Sequence, residues 1–355
     1  MPQRARRLRT AVAAGVGVAL LAACGGSPAT TESGGGGNPE TDEIQEVTFL
    51  NILPLESLSF TPELVADTCG QFEKEGLKVN FETTQGSAPA IQTVIADSAL
   101  ITRVGDIETI QAAGGKDAPV VNVGTATQRG PIRVVSSKKD PIESAEDFKG
   151  KLIGLPSEGG TSSITVDLVV GSAGIAPTEV KRQVVGLAPG VFDLVKAGRI
   201  GGYVVSLDTA FALEQQQPDA VVFDPSDAIN SGAQLYMTGR KQAEDPEKQE
   251  QLRRYLAAIK AAIDFVIKDE ANGFAKTMKC ISSKYKVPAL ENPDVTKQAL
   301  AGYVDSWTAN GEDKVLLTDD KKWQDTYQEI NDAGLIDDGL NPKDWYTNEF
   351  SPNAP

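Results

Sequence analysis

The residues best suited to chemistry lie between Pro156 and Ser163. Pro156 to Gly160 is a loop of small residues, and Thr161, Ser162 and Ser163 are hydroxyl residues of the kind that open helices. The apolar run Ile164 to Val170 then supplies a buried helix face. The first turn of such a helix offers unpaired backbone N–H groups, hydroxyl donors and the positive end of a helix dipole, which together hold a small polar or anionic ligand. Ser157, Gly159, Gly160, Thr161 and Ser162 are therefore candidate ligand contacts, with simple helix capping as the competing role of each hydroxyl. Thr84-Gln-Gly-Ser87 repeats the pattern and adds Gln85, Gly86 and Ser87. Ser57 and Ser59 lie in a polar loop after the first strand, and Thr125 and Thr127 follow a later one. Asp106 and Asp208 each open a helix, and Asp208 either accepts a ligand N–H or caps its own helix. Arg103 is the most unusual residue, because it sits inside an apolar strand where an unpaired charge is costly. It either grips an anionic ligand group bidentately or pairs with Asp106 or Glu108.

Several chemistries are excluded. The chain has no histidine, which removes His-based triads, His metal sites and the usual general base near neutral pH. Ser136-Ser-Lys-Lys139 fits Ser-x-x-Lys, but the companion motifs of penicillin-recognising enzymes are absent. No phosphate-binding Gly-x-x-x-x-Gly-Lys-[Ser/Thr] loop occurs either. No catalytic residue, metal or cofactor is expected. A net charge of −15 argues against nucleic acid as a partner.

These residues need a scaffold, and the chain supplies one by alternating strands and helices. Val47–Leu53, Leu77–Thr83, Ala99–Gly105 and Pro119–Ala126 read as strands with helices between them, the first helix running from Thr61 to Glu75. Ile132–Ser137, Lys151–Leu155, Lys181–Gly186, Gly201–Leu207 and Ala220–Asp224 form a second, similar half. The alternation predicts parallel sheets with right-handed crossovers, and ligands of such sheets sit at the carboxyl ends of strands. Beyond Asp227 the pattern changes, and residues 246 to 335 read as mostly helical.

The amino terminus is of another kind. Arg4, Arg6, Arg7 and Arg9 precede the apolar, small-residue stretch Ala11–Ala23, a signal-peptide pattern too short to span a membrane. Leu21-Ala-Ala-Cys24 matches the bacterial lipobox, so Cys24 is the expected lipidation site and mature amino terminus. A Gly-, Ser- and Thr-rich tether over 24–45 follows. With Cys24 taken by lipid, Cys69 and Cys280 remain, and in an oxidising compartment they either form a disulfide or stand as two separate buried thiols.

Taken together the chain resembles the bacterial solute-binding lipoproteins of the nitrate/sulfonate/taurine and thiamine-pyrimidine-precursor group. The resemblance rests on Gly70-Gln-Phe-Glu-Lys-Glu-Gly-Leu-Lys-Val79, Asp117-Ala-Pro-Val-Val121, Pro141 through Gly154, Leu194-Val-Lys-Ala-Gly-Arg-Ile200 and Ala333-Gly-Leu-Ile336, in that order behind the lipobox. It implies a type II periplasmic-binding-protein fold: two doubly wound α/β lobes, a ligand cleft between them, and extra carboxy-terminal helices. Lobe 1 would comprise residues 46–130 and 228–345, lobe 2 residues 131–227, with 346–355 as a tail. It implies a monomer, lipid-anchored on the extracytoplasmic face, that captures a small polar or anionic solute. That solute would be sulfonate-, nitrate- or taurine-like, or pyrimidine-like, and would pass to an ABC permease served by a cytoplasmic ATPase. The competing readings are an extracytoplasmic ligand sensor and a secreted enzyme using cleft carboxylates. Phe60, Phe211 and Phe223 are the aromatic residues placed to wall a planar ligand.

Overall fold

The computed structural model describes residues 44–157 and 160–354. The leader, Cys24, nearly all of the tether, and Gly159 lie outside the described residues. The chain opens with β1 (Gln45–Asn51), α1 (Thr61–Thr68), α2 (Gln71–Lys74), β2 (Leu77–Thr83) and α3 (Ser87–Ile95). Then come β3 (Ile101–Gly105), α4 (Asp106–Ile110) and β4 (Val120–Thr127). The second half holds β5 (Ile132–Ser137), β6 (Leu152–Leu155), α5 (Thr161–Ser172), β7 (Lys181–Val184), α6 (Phe192–Lys196), β8 (Gly202–Ser206), α7 (Leu207–Gln216) and β9 (Ala220–Phe223). The chain then returns through β10 (Gln234–Gly239), α8 (Arg240–Glu244), α9 (Pro246–Asp269), α10 (Ala275–Ser282), α11 (Pro293–Thr308) and α12 (Asp320–Asp332).

Two five-stranded sheets result, in the orders β2-β1-β3-β10-β4 and β7-β6-β8-β5-β9. Each is mixed rather than wholly parallel, which corrects the sequence-based expectation. β10 runs antiparallel to β3 and β4, and β5 antiparallel to β8 and β9. Both are the strands by which the chain enters a sheet from the other lobe. The crossings, residues 128–131 and 224–233, arrive at the carboxyl edge of the parallel strands, so the entering strand must run the opposite way. β10 itself was not anticipated. Its burial comes from strands far away in sequence, not from alternation within six residues.

The expected first helix is also interrupted. Gly70 adopts φ 71°, a left-handed geometry that glycine tolerates, and so separates α1 from α2. The break places Cys69 beside α10, where it forms a disulfide with Cys280 (Cα–Cα 5.7 Å). α9 carries Leu252, Tyr255, Leu256, Ile259, Ile263 and Val266 on one face at helical spacing, all buried. Tyr255 packs at 5.6 Å from Phe49 and 5.2 Å from Phe72, joining α9 to the first sheet and α2. Residues 346–354, in the expected tail, pack onto the first lobe: Thr347 N donates to Asn122 O, and Phe350 is buried. Among the described residues no helix is long and apolar enough to cross a membrane.

Candidate functional site

The carboxyl ends of β1, β2 and β3 face those of β6 and β8 across a seam, and three adjoining hollows run along it. Leu53 from the first lobe and Pro156 from the second border all three. One of them, about 470 Å³, is lined by Glu56 and Ser57 on one side and by Ser206, Asp208 and Leu187 on the other. Pro288, Asn292 and Val295 close its end from the segment entering α11. A smaller hollow of about 60 Å³ lies deeper, between Ser59, Gly86 and Ser87 of the first lobe and Gly160, Thr161 and Ser162 of the second. The third sets Gln85 against Ser157. Ser57, Ser59, Gln85, Gly86, Ser87, Ser157, Gly160, Thr161, Ser162 and Asp208 thus lie along one seam.

Two buried carboxylates tie this seam together, one reaching out of each lobe. Glu108 of α4 accepts from Ser87 Oγ at 2.7 Å and from Thr161 Oγ1 at 2.7 and 2.9 Å, so a first-lobe acid holds the start of a second-lobe helix. The N-caps of α3 and α5 are Gly86 and Gly160, and neither helix start has a side-chain cap. Thr161 and Ser162 were expected as caps. Instead Thr161 is the first residue of α5, and the carboxylate of Glu108 stands at the positive end of its dipole. Gly105 is required behind this contact: a Cβ there would lie 2.9 Å from Thr161 Cγ2 and closer still to Glu108 Oε2.

Asp208 is the reciprocal case. It sits in the first turn of α7 yet does not cap its own helix. Its carboxylate accepts from Ser57 Oγ (3.1 Å), Leu58 N (3.3 Å) and Tyr303 OH (3.1 Å), all in the first lobe. The Tyr303 hydroxyl is raised well above its usual pKa, by burial first and then by the neighbouring Asp208 charge. Among the described residues neither Glu108 nor Asp208 is in an ion pair, and no Lys or Arg lines any of the three hollows. Gln234 lines the deeper hollow, and its Oε1 has no hydrogen-bond partner.

Four of the candidates have other work. Arg103 is fully buried beneath the seam, where it donates to Ser59 O at 2.7 Å and pairs with Glu63 at 3.2 Å. The expected acid partners, Asp106 and Glu108, are both engaged elsewhere. Tyr236 OH also donates to Glu63, and the Arg103 guanidinium lies 5.4 Å from the Phe60 ring centre. Asp106 accepts from Ile107 N, Gly232 N and Ala233 N, holding the second crossing. Burial pushes its pKa up to about 7 against the pull of those N–H groups. Thr127 Oγ1 accepts Gln234 N at the same crossing, and Thr125 bonds Thr318. Asp106 and Thr125 border a separate cavity of about 20 Å³ with Lys322, whose amine is pushed down by burial. Of the three aromatic candidates Phe60 alone lines a hollow; Phe223 packs on Phe148 and Phe211 against α11. Glu56, Leu187 and Gln234 border the seam without having been singled out, and ordinary loop residues give no local signal for that. No group of His, Cys, Asp and Glu that could hold a metal ion occurs among the described residues.

This geometry can be set beside known proteins. Residues 57–272 match the family described as NMT1/THI5 like. The chain belongs to that family. The riboflavin-binding protein RibY of Chloroflexus aurantiacus is 23% identical over 326 residues, covering 88% of this chain and 87% of that protein. Among solved structures, the alkanesulfonate-binding protein SsuA of Xanthomonas axonopodis pv. citri, bound to MOPS, aligns with TM-score 0.63 at 14% identity, over 86% of this chain and 99% of that one. The periplasmic nitrate-binding protein NrtA of Synechocystis aligns with TM-score 0.60 at 13% identity, covering 87% of each chain. The two-sheet NMT1/THI5-like chain therefore has the type II periplasmic-binding-protein fold, and the seam is the cleft of that fold.

Proposed function

We propose that the protein is the solute receptor of an ABC importer: it captures a small organic solute in the interlobe cleft and delivers it to a permease. The observation that carries this reading is the hollow of about 470 Å³ lined by loops from both lobes, where one solute can touch both and favour closure. The riboflavin-binding relative, matched over 88% of this chain, supports binding over turnover, while the relative named a pyrimidine phosphate synthase is matched over 36% of it; the lack of histidine adds to the binding reading. The lipobox ending in Cys24 supports a receptor, read here as a monomer, tethered by lipid to the extracytoplasmic face of the membrane. Thermal unfolding against a solute panel tests the receptor role, because a true solute raises the melting temperature by mass action. Absence of a response to every class would refute it. Loss of palmitate labelling in Cys24→Ala tests the anchor.

A further inference from the structure

We infer that the cleft refuses oxyanions and takes a solute that presents N–H donors, uncharged or cationic, on a largely apolar body; this rests on the receptor reading above. The position an oxyanion would occupy is filled from within. Glu108 places its carboxylate between Ser87 Oγ and Thr161 Oγ1, at the starts of α3 and α5, and all three side chains are at least nine-tenths buried. Helix starts of this kind stabilise anions, and here the anion is the protein's own. A second charge of the same sign would lose those donors and meet a buried carboxylate at close range.

The rest of the cleft points the same way. Asp208, 4% exposed, lines the hollow of about 470 Å³ with no cation in an ion pair beside it. Ser57 Oγ, Leu58 N and Tyr303 OH fill three of the roughly four lone-pair sites of that carboxylate, and with no Lys or Arg in the cleft the remaining capacity suits a solute that donates. Leu53, Pro156 and Leu187 supply the apolar walls.

The test uses the purified full chain and two probe sets in thermal shift and calorimetry: aminopyrimidines, carboxamides and primary amines against pyrimidine carboxylates, ethanesulfonate and nitrate. The donor set is expected to stabilise the protein, at least about tenfold tighter than matched anions. In Glu108→Ala, which vacates the carboxylate position, sulfate and ethanesulfonate are expected to become stabilising. If Glu108→Ala does not fold, Glu108→Gln removes the charge alone and should narrow the donor-over-anion preference by the same factor. Stabilisation of the wild-type chain by ethanesulfonate or nitrate in preference to the donors would overturn the inference and leave the receptor reading intact. No gain of anion response in either variant would overturn the role of Glu108. No stabiliser in either set would remove the receptor reading itself.

Discussion

Replacing Arg103 with Met should destabilise the fold without abolishing solute binding. The Arg103 and Glu63 side chains are 1% and 0% exposed, and the pair meets at 3.2 Å. Met fills much of the same volume, so the loss is electrostatic. The Glu63 carboxylate would stay buried with only the Tyr236 hydroxyl as a partner. Removing one member of a buried pair costs about 3–5 kcal/mol, because the remaining charge is uncompensated. An unfolding entropy of about 2.1 cal/mol/K per residue over roughly 310 ordered residues converts this to a fall of about 5–8 °C in melting temperature. Adding Glu63→Gln to Arg103→Met should restore more than half of the loss, since no buried charge is then stranded. Urea and thermal melts followed by circular dichroism give the stability, and calorimetry with a stabilising solute gives the affinity. An unmoved melting temperature with binding abolished would refute the reasoning and return Arg103 to the role of a ligand contact.

Other outcomes follow from the same structure. Reducing the Cys69–Cys280 bridge, or substituting Cys69→Ser with Cys280→Ser, releases a closed segment with a sequence separation of 211 residues. Chain entropy predicts a loss of about 5 kcal/mol, measurable as a lower urea midpoint. Asp106 holds a raised pKa of about 7. Between its unfolded value near ~4 and that point the native state keeps a proton the unfolded chain has lost. Its contribution to stability therefore falls as pH rises through this window and is lowest above it, with a slope of at most about 1.4 kcal/mol per pH unit. Asp106→Asn should flatten that part of the profile, read from urea midpoints between pH 5 and 8. Gly105→Ala would push a methyl group into Glu108 and Thr161 and force the lobes apart, at about 1–3 kcal/mol. A larger radius of gyration by small-angle scattering would report the separation.

Much of the fold was readable because its elements are written locally. The strand–helix alternation, the donor-rich loops at Thr84–Ser87 and Pro156–Ser162, and the long amphipathic α9 each carry a signal within a few residues. What could not be read is who answers those donors. Thr161 meets an acid 53 residues away, and Ser57 meets one 151 residues away. A stretch such as Thr161-Ser-Ser163 advertises an anion site in either case, since its chemistry is the same whether a solute or a glutamate fills it. Arg103 misled for the same reason: its neighbours Asp106 and Glu108 are near in sequence, yet its partner Glu63 lies on the helix packed across the strand. The mixed strand order escaped too, because β10 and β5 take their direction from the crossings and not from their own residues.

The two crossing carboxylates also bear on how the lobes open. A buried carboxylate is tolerated only when donors surround it. Were the lobes of such a receptor to open, Glu108 would lose the Thr161 hydroxyl, and Asp208 would lose Ser57 Oγ, Leu58 N and Tyr303 OH. On opening, water replaces those donors, so each exchange is close to balanced and contributes only about 1 kcal/mol either way. Apolar contact between α7 and α11 adds to the closed side: Leu207 and Phe211 pack against Gly302, where any larger residue would meet Leu207 Cδ2. The equilibrium is thus set by small terms. A solute whose N–H groups reach Asp208 in the closed form alone would add a further bond that water in the open cleft does not replace with the same geometry. A differential of about 2.7 kcal/mol moves a balanced pair of states to roughly 99% closed, which two such charge-assisted bonds supply.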